Sequence, residues 1–422
     1  MNNFTLFGDI CYNTTERTLA TATGAYLVCL DGKSAGVFDF LPEQYKHLPV
    51  IDCRGQLILP GLVDLHVHAP QYSYRSLGMD LELIDWLTLH TFPEEARFED
   101  LAYAKLAYEQ FIADIRRGPN TRSVVFATRH VPGTVLLMDL LEDSGLITMV
   151  GKVNMDRHAP APLVEHDAAT SLADTRAWLR EVTGRYKRTS PILTPRFIPS
   201  CSDALMEGLG EIQQELSLPV QSHLSENQGE ITWVESLRPH TMSYGHAYHA
   251  HGLFGGDVPT VMAHCVWPSE DEFSLIKKQK IWVAHCPQSN INLASGIAPV
   301  RRYLEAGVPV GLGSDVAGGA HTSIFRAMSD AIGVSKLYWR LMDQTAAPLT
   351  LAEAFYLGTL GGGSFFGQVG GFAAGFEFDA IVVDDREIPG KHNLTIPERL
   401  ARVVHLSDER QIKRKFVRGV EI

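Results

Sequence analysis

The stretch LILPGLVDLHVHAPQ, residues 57 to 71, decides the fold. Its apolar, β-branched run ends at His66, Val67 and His68, which predicts a buried strand. A strand's side chains alternate with a period of two, so His66 and His68 share one face. Leu65 and Val67 are expected on the other, toward a layer of helices. Seven similar runs follow at intervals: RSVVFAT (122–128), LITMVGKVNM (146–155), SPILTPRF (190–197), LPVQSH (218–223), TVMAH (260–264), IWVAHC (281–286) and VPVGLGSD (308–315). Helix-like stretches lie between many of them, at 100–117, 171–186, 203–216, 269–278, 300–306 and 351–357, several opening on a Ser, Asp or Thr suited to capping. Eight such strands predict an α/β chain with a (β/α)8 TIM barrel over residues 60–370.

Outside those limits the texture changes. Short apolar pieces separated by Gly, Asn and Pro occupy residues 1–59, among them AYLVCL and GVFDF. The tail 371–422 repeats that texture in FDAIVV, ARVVHL and KRKFVRGVEI. Both ends together predict one small β-sandwich domain.

In a barrel of this kind the C-terminal ends of the strands surround the active site. His223, His264, His285 and Asp315 stand at such ends, as His66 and His68 do. Three imidazoles and one carboxylate suit a metal centre that keeps a position open for water, as catalytic sites do. The alternative, unrelated polar residues each bonded at its own loop, needs a coincidence on most of the strands. Four further histidines, between His240 and His251, lie off these strands and are expected on a solvent-facing loop rather than in a second metal site.

Composition narrows the partners. A formal charge of -12 from 37 Lys and Arg against 49 Asp and Glu argues against nucleic acid. The one dense basic run, Lys413 to Arg418, reads as a solvated face. The six cysteines form no C-x-x-C pair, which excludes a zinc knuckle and signals no disulfide framework. No apolar run approaches the roughly 20 residues of a membrane span, and the first residues lack a basic segment followed by an apolar one. These features predict a cytoplasmic protein without a membrane partner.

Specific motifs carry a resemblance. PGLVDLHVHAPQYSY, IDWLTLHTFPEE, GKVNMD, TPRF, QSHLSEN, VMAHC, AHCPQSN and GLGSDVAGG run in order from residue 60 to 319, and the likeness continues more thinly through LTLAEAFYLGTLGG and GFEFDAIVVD. The chain resembles the amidohydrolase superfamily and, within it, the guanine deaminases. The resemblance implies that His66, His68, His223 and Asp315 bind one zinc ion whose water is the nucleophile. It makes Glu226 the proton shuttle and Asp315 the first proton acceptor. His264 would orient the attacking oxygen, and Gln71, Arg196 and Phe197, with Glu226, would contact the base. Trp86 and Phe92 are equally readable as pocket walls or as core. The implied activity is hydrolysis of guanine to xanthine and ammonia in purine catabolism, by a homodimer that needs no organic cofactor. Related amino-heterocycles such as 8-oxoguanine, pterins or triazines are the alternative on the same metal site. A scaffold that has lost catalysis and serves only for binding would lack ligands, and none is missing. The sequence departs from the family at RRGPNTRSVVF (116–126), which bears on loop geometry and on no proposed ligand.

Overall fold

The computed structural model describes residues 3–391 and 393–422. The first decisive stretch proves to be two strands. β1 (Phe4–Thr15), β2 (Thr18–Leu30), β3 (Lys33–Phe38) and β4 (Val50–Pro60) precede β5 (Leu62–His68). The break falls at Gly61, where a Cβ would lie 2.3 Å from the Thr121 side chain. Only glycine permits that approach as the chain passes from one sheet to the next.

β5 opens a parallel arc with β6 (Asn120–Phe126), β7 (Ile147–Gly151) and, after the short β8 (Val153–Asn154), β9 (Thr189–Pro191). β10 (Thr194–Pro195) pairs with β8. A second parallel arc comprises β11 (Val220–Leu224), β12 (Thr260–His264), β13 (Trp282–His285) and β14 (Val310–Leu312). The two ladders remain separate four-stranded sheets. They share an apolar cluster, to which the first contributes Val63, Leu65 and Val124 and the second Val261, Ala263, Ala284 and Cys286. Helices cover the outer faces. Asp100, Asp167, Ser202 and Ser269 each accept a backbone N–H at the start of one, satisfying amides that a helix leaves free. Asp167 starts its helix at Ala168, three residues before the expected position, and the helix ends at Val182.

β15 (Ala380–Val383), β16 (Ile412–Val417) and β17 (Val420–Glu421) join the first four strands in a single seven-stranded sheet. The expected sandwich is therefore one sheet bent over its own core. β1 and β16 stand three strands apart, about 14 Å in a flat sheet, yet the Phe4 and Phe416 rings lie 5.1 Å apart. ARVVHL, expected as a strand of this unit, instead belongs to a helix, Ile396–Leu406. Thr395 and Glu398 form a reciprocal cap at its start, and Ile396, Leu400, Val403 and Val404 recur at helical spacing on the buried face. Those residues join the same main core as Leu57, Leu59, Ile381 and Val383, and the helix packs against β1 and β2. Among the described residues, no helix is long and apolar enough to cross a membrane.

A buried ion pair fastens the terminal sheet to the first arc. Arg122 on β6 donates to Asp379, just before β15, at 2.6 Å, and both side chains are almost fully buried; Glu377 is its second partner. Removing one member of such a pair leaves an uncompensated charge, at a cost of about 3–5 kcal/mol. Asp379→Ala is expected to lose that much stability in urea unfolding; a loss below about 1 kcal/mol would show that the pair does not hold the two units together.

Candidate active site

The ends of β5, β11 and β12 and the turn after β14 bring their polar side chains together. The Nε2 atom of His68 lies 3.2 Å from those of both His66 and His223. Asp315 Oδ1 is 3.2 Å from His66 Nε2 and 3.5 Å from His68 Nε2. His264 Nε2 stands 3.4 Å from Glu226 Oε2 and 3.8 Å from Asp315 Oδ2. Two overlapping triads have the reach to hold a cation, His66 with His68 and Asp315, and His66 with His223 and His264; a third joins His264 and Asp315 to Cys286. Burial pushes the Cys286 thiol well above its ordinary range, so it stays protonated and is the weakest ligand of these.

Electrostatics favour ligation. Burial first, and then the neighbouring His66, hold His68 and His223 well below the ordinary histidine range, so both are neutral imidazoles with a lone pair to offer. The His223 Nδ1–H donates to the Arg196 carbonyl at 2.7 Å, which turns the unprotonated Nε2 inward. Burial alone would raise Asp315, but His66 beside it, by charge and by hydrogen bond, outweighs burial and keeps the group a carboxylate. Nitrogen lone pairs crowded around an anion, with few protons to share, form a donor set that fits a divalent cation such as zinc.

Backbone geometry explains where strand periodicity fails. Leu65 was expected against the helices, yet it packs on the inner face with Val63 and Ala284. The β5–β6 register shifts between Asp64 and Val67, and the extra residues let Leu65 face inward while His66 and His68 still reach the site. Ala263 also faces inward, so alternation would turn His264 out; left-handed conformations at His264 (φ 74°) and Cys265 (φ 47°) swing it back. His285 has no such correction. Ala284 and Cys286 take the inner face, and His285 lies behind it against Ala298, Val300 and Ala331, so it does not join the cluster. The expected loop at 240–251 contains a short helix, Tyr244–His249, in which Tyr244 and Tyr248 are buried.

A cavity opens beside the cluster. Gln71, Arg196, Phe197, Glu226, His264 and Asp315 line it, with an apolar wall from Leu83, Trp86, Leu87 and Leu293. Trp86 is thus a wall residue. Phe92 packs instead behind Arg196, its ring 5.2 Å from the guanidinium. Ser295 donates to Glu226 Oε1 at 3.0 Å. Burial, reinforced by Asp315, pushes Glu226 up to about 8 against that hydrogen bond.

Four supporting residues had no assigned role in the sequence. Asp64 accepts from the Ser314 hydroxyl (2.6 Å), the Ser314 N–H and the His66 N–H, tying β5 to the turn that carries Asp315. Asn290 meets His264 Nδ1 at 2.9 Å. Glu230 lines the cavity and accepts from the Glu226 N–H at 3.0 Å. Glu95 lies behind Gln71 and Arg196 and bonds to both. Glu95 stands within the quoted TFPEE motif, but nothing in its spacing reveals a partner a hundred residues away.

Comparison with known proteins identifies the family. The profile of the amidohydrolase family matches residues 57–422. Guanine deaminase of Dictyostelium discoideum is 37% identical over 381 residues, covering 88% of this chain and 84% of the relative. The human guanine deaminase is 35% identical over 379 residues, with 87% and 83% covered. Among solved structures, guanine deaminase from C. acetobutylicum, with guanine bound in its active site, superposes with a TM-score of 0.97 at 44% identity over the whole of both chains. A metal-ligand cluster at the strand ends, a profile match over most of the chain and relatives of this closeness agree: the chain belongs to the amidohydrolase family.

Proposed function

We propose that this chain is a zinc-dependent guanine deaminase, which hydrolyses guanine with water to xanthine and ammonia. One observation carries the reading: a single cavity gathers metal-type donors, a buried carboxyl raised to about 8 and an Arg–Gln–Phe wall. It does so in a chain 44% identical, end to end, to an enzyme solved with guanine in place.

His66, His68, His223 and Asp315 would hold the ion. Bound there, a divalent cation lowers the pKa of water toward neutrality and so makes a nucleophile available. Every other task falls to the chain. Arg196 and Gln71 grip the edge of the base, and Phe197 walls its ring. Asp315, kept a carboxylate, takes the first proton from the attacking water. Glu226 hands a proton to the ring nitrogen beside the amino-bearing carbon, for which a raised carboxyl is suited. His264, 3.4 Å from Glu226, orients the attacking oxygen and steadies the charge that develops on it. The proton held by Asp315 then passes to the amino group, the C–N bond breaks to release ammonia, and the proton of the added hydroxyl returns to Glu226 as the new carbonyl forms.

The same reading takes the two arcs as halves of a (β/α)8 barrel over residues 60–370, with a smaller β domain from 1–59 and 371–422. Contacts at both seams support it. Leu193 bridges to Val220 on one side, and on the other Asp315 N–H donates to His66 O at 2.8 Å. A cytoplasmic homodimer belongs to this reading through the resemblance. Six buried, unpaired cysteines suit a reducing compartment.

The purified protein, loaded with zinc, is expected to release ammonia from guanine faster than from 8-oxoguanine, isoxanthopterin, adenine or cytosine. A tenfold preference for another of these would overturn the substrate and leave the metal chemistry standing. Chelation is expected to abolish turnover and zinc to restore it. Glu226→Gln is expected to lower kcat by about 10²–10⁴-fold, the usual worth of general acid–base catalysis, with metal content unchanged. Retained turnover in that variant would refute the proton-shuttle role.

A further inference from the structure

Beyond the residues that touch the base, Glu95 occupies a telling position. It is 4% exposed and sits on a short helix, Phe92–Ala96, that continues from the segment supplying Leu83, Trp86 and Leu87 to the cavity wall. One of its oxygens accepts from Gln71 Nε2 at 2.8 Å and from an Arg196 terminal nitrogen at 3.2 Å. The other oxygen accepts from the second terminal nitrogen of Arg196. The Gln71 carbonyl oxygen is engaged as well, by the Ala317 N–H at 3.2 Å.

Those bonds settle what each side chain has left. A primary amide has two N–H donors and one carbonyl, and a guanidinium has five donors and no acceptor. With one N–H committed to Glu95 and one carbonyl lone pair to the Ala317 N–H, which turns that oxygen toward the backbone, Gln71 keeps an N–H to offer alongside its second lone pair. Arg196 keeps donors only. Both residues line the cavity, so each has donors left for a ligand on this side. We infer that Glu95 is a positioning residue that fixes Gln71 and Arg196 as a paired donor face, so that the site selects a heterocycle presenting a carbonyl and neighbouring lone pairs on that edge.

Charge supports the same assignment. An unmatched guanidinium beside a cation-binding cluster would repel the ion and be costly to bury. Glu95 cancels that charge locally. What reaches the base is hydrogen-bond donation without a net positive field. A purine bearing an amino group in place of the carbonyl would set donor against donor. A purine bearing hydrogen there would leave buried donors unpaired, which sites of this kind reject strongly.

The inference rests on the deaminase reading, and one set of assays separates the two. Guanine and 2-aminopurine, which lacks the carbonyl, are compared as substrates of the zinc-loaded wild type, Glu95→Gln and Glu95→Asp, with metal content and melting temperature measured in parallel. The wild type is expected to favour guanine by about 10⁴-fold or more in kcat/KM, the usual margin when an analogue leaves buried polar groups unpaired. Glu95→Gln is expected to raise KM for guanine about tenfold or more while kcat falls less and metal content holds. Its discrimination against 2-aminopurine should collapse by a similar factor, because the analogue never used the donor face. Glu95→Asp keeps the charge at shorter reach and should fall between the two. Unchanged discrimination in whichever variants fold, or an equal loss of kcat on both substrates, would overturn the role of Glu95. A wild type inert toward guanine would instead sink the deaminase reading itself.

Discussion

The contact on which the rest of the molecule is arranged is the Asp315 carboxylate buried against His66 and His68. Taking an anion and several imidazoles out of water is costly unless each finds a partner. The surrounding structure is organised to meet that cost. Asp64 binds both β5 and the turn bearing Asp315, so the carboxylate and its imidazoles are held by the same support. Phe126 packs against the rings of His66, His68 and His223 at 4.5–5.0 Å and shields them from water. The arcs can approach this closely only because the lining is small where they meet: a Cβ on Gly313 would lie 2.9 Å from that of His66.

Much of this was legible in the residues. His66 and His68 follow from strand alternation, and His223 and Asp315 from their place at strand ends. His264 and His285 show the limit of that logic. Both close an apolar run at the same kind of position, yet one turns inward through two left-handed residues and the other stays on the outer face. A bend of that kind leaves no mark in hydropathy. The register shift in β5 is hidden for the same reason.

Helices were misread where their burial is broad or their run is short. Val131–Ser144 is apolar over most of its surface and shows little amphipathic period, so the sequence gives no bounds for the helix that follows the second strand run. ARVVHL is too brief for its period to tell strand from helix; the cap at Thr395 and Glu398 was the available signal. Glu95 illustrates a different gap. Its chemistry depends on Arg196, which the fold brings to it from 101 residues away, and no local pattern encodes such a partner.

Buried cations elsewhere clarify why Arg196 is matched as it is. Lys152 meets Glu165, Arg301 meets Glu353 and Arg122 meets Asp379, so a carboxylate neutralises each of these three buried cations. Lys415 is treated differently. Among the described residues it donates only to the Ile115 and Asn120 carbonyls, and burial, with Arg116 adding to it, brings it down to about 7, where it can shed its charge. A guanidinium has no such escape, because it stays protonated. An arginine placed against a substrate cavity next to a cation-binding cluster must therefore carry its own counter-ion. Glu95 supplies it from the side away from the base, and the cavity is left with directional hydrogen bonds in place of a field, which is the form of recognition a neutral heterocycle can use.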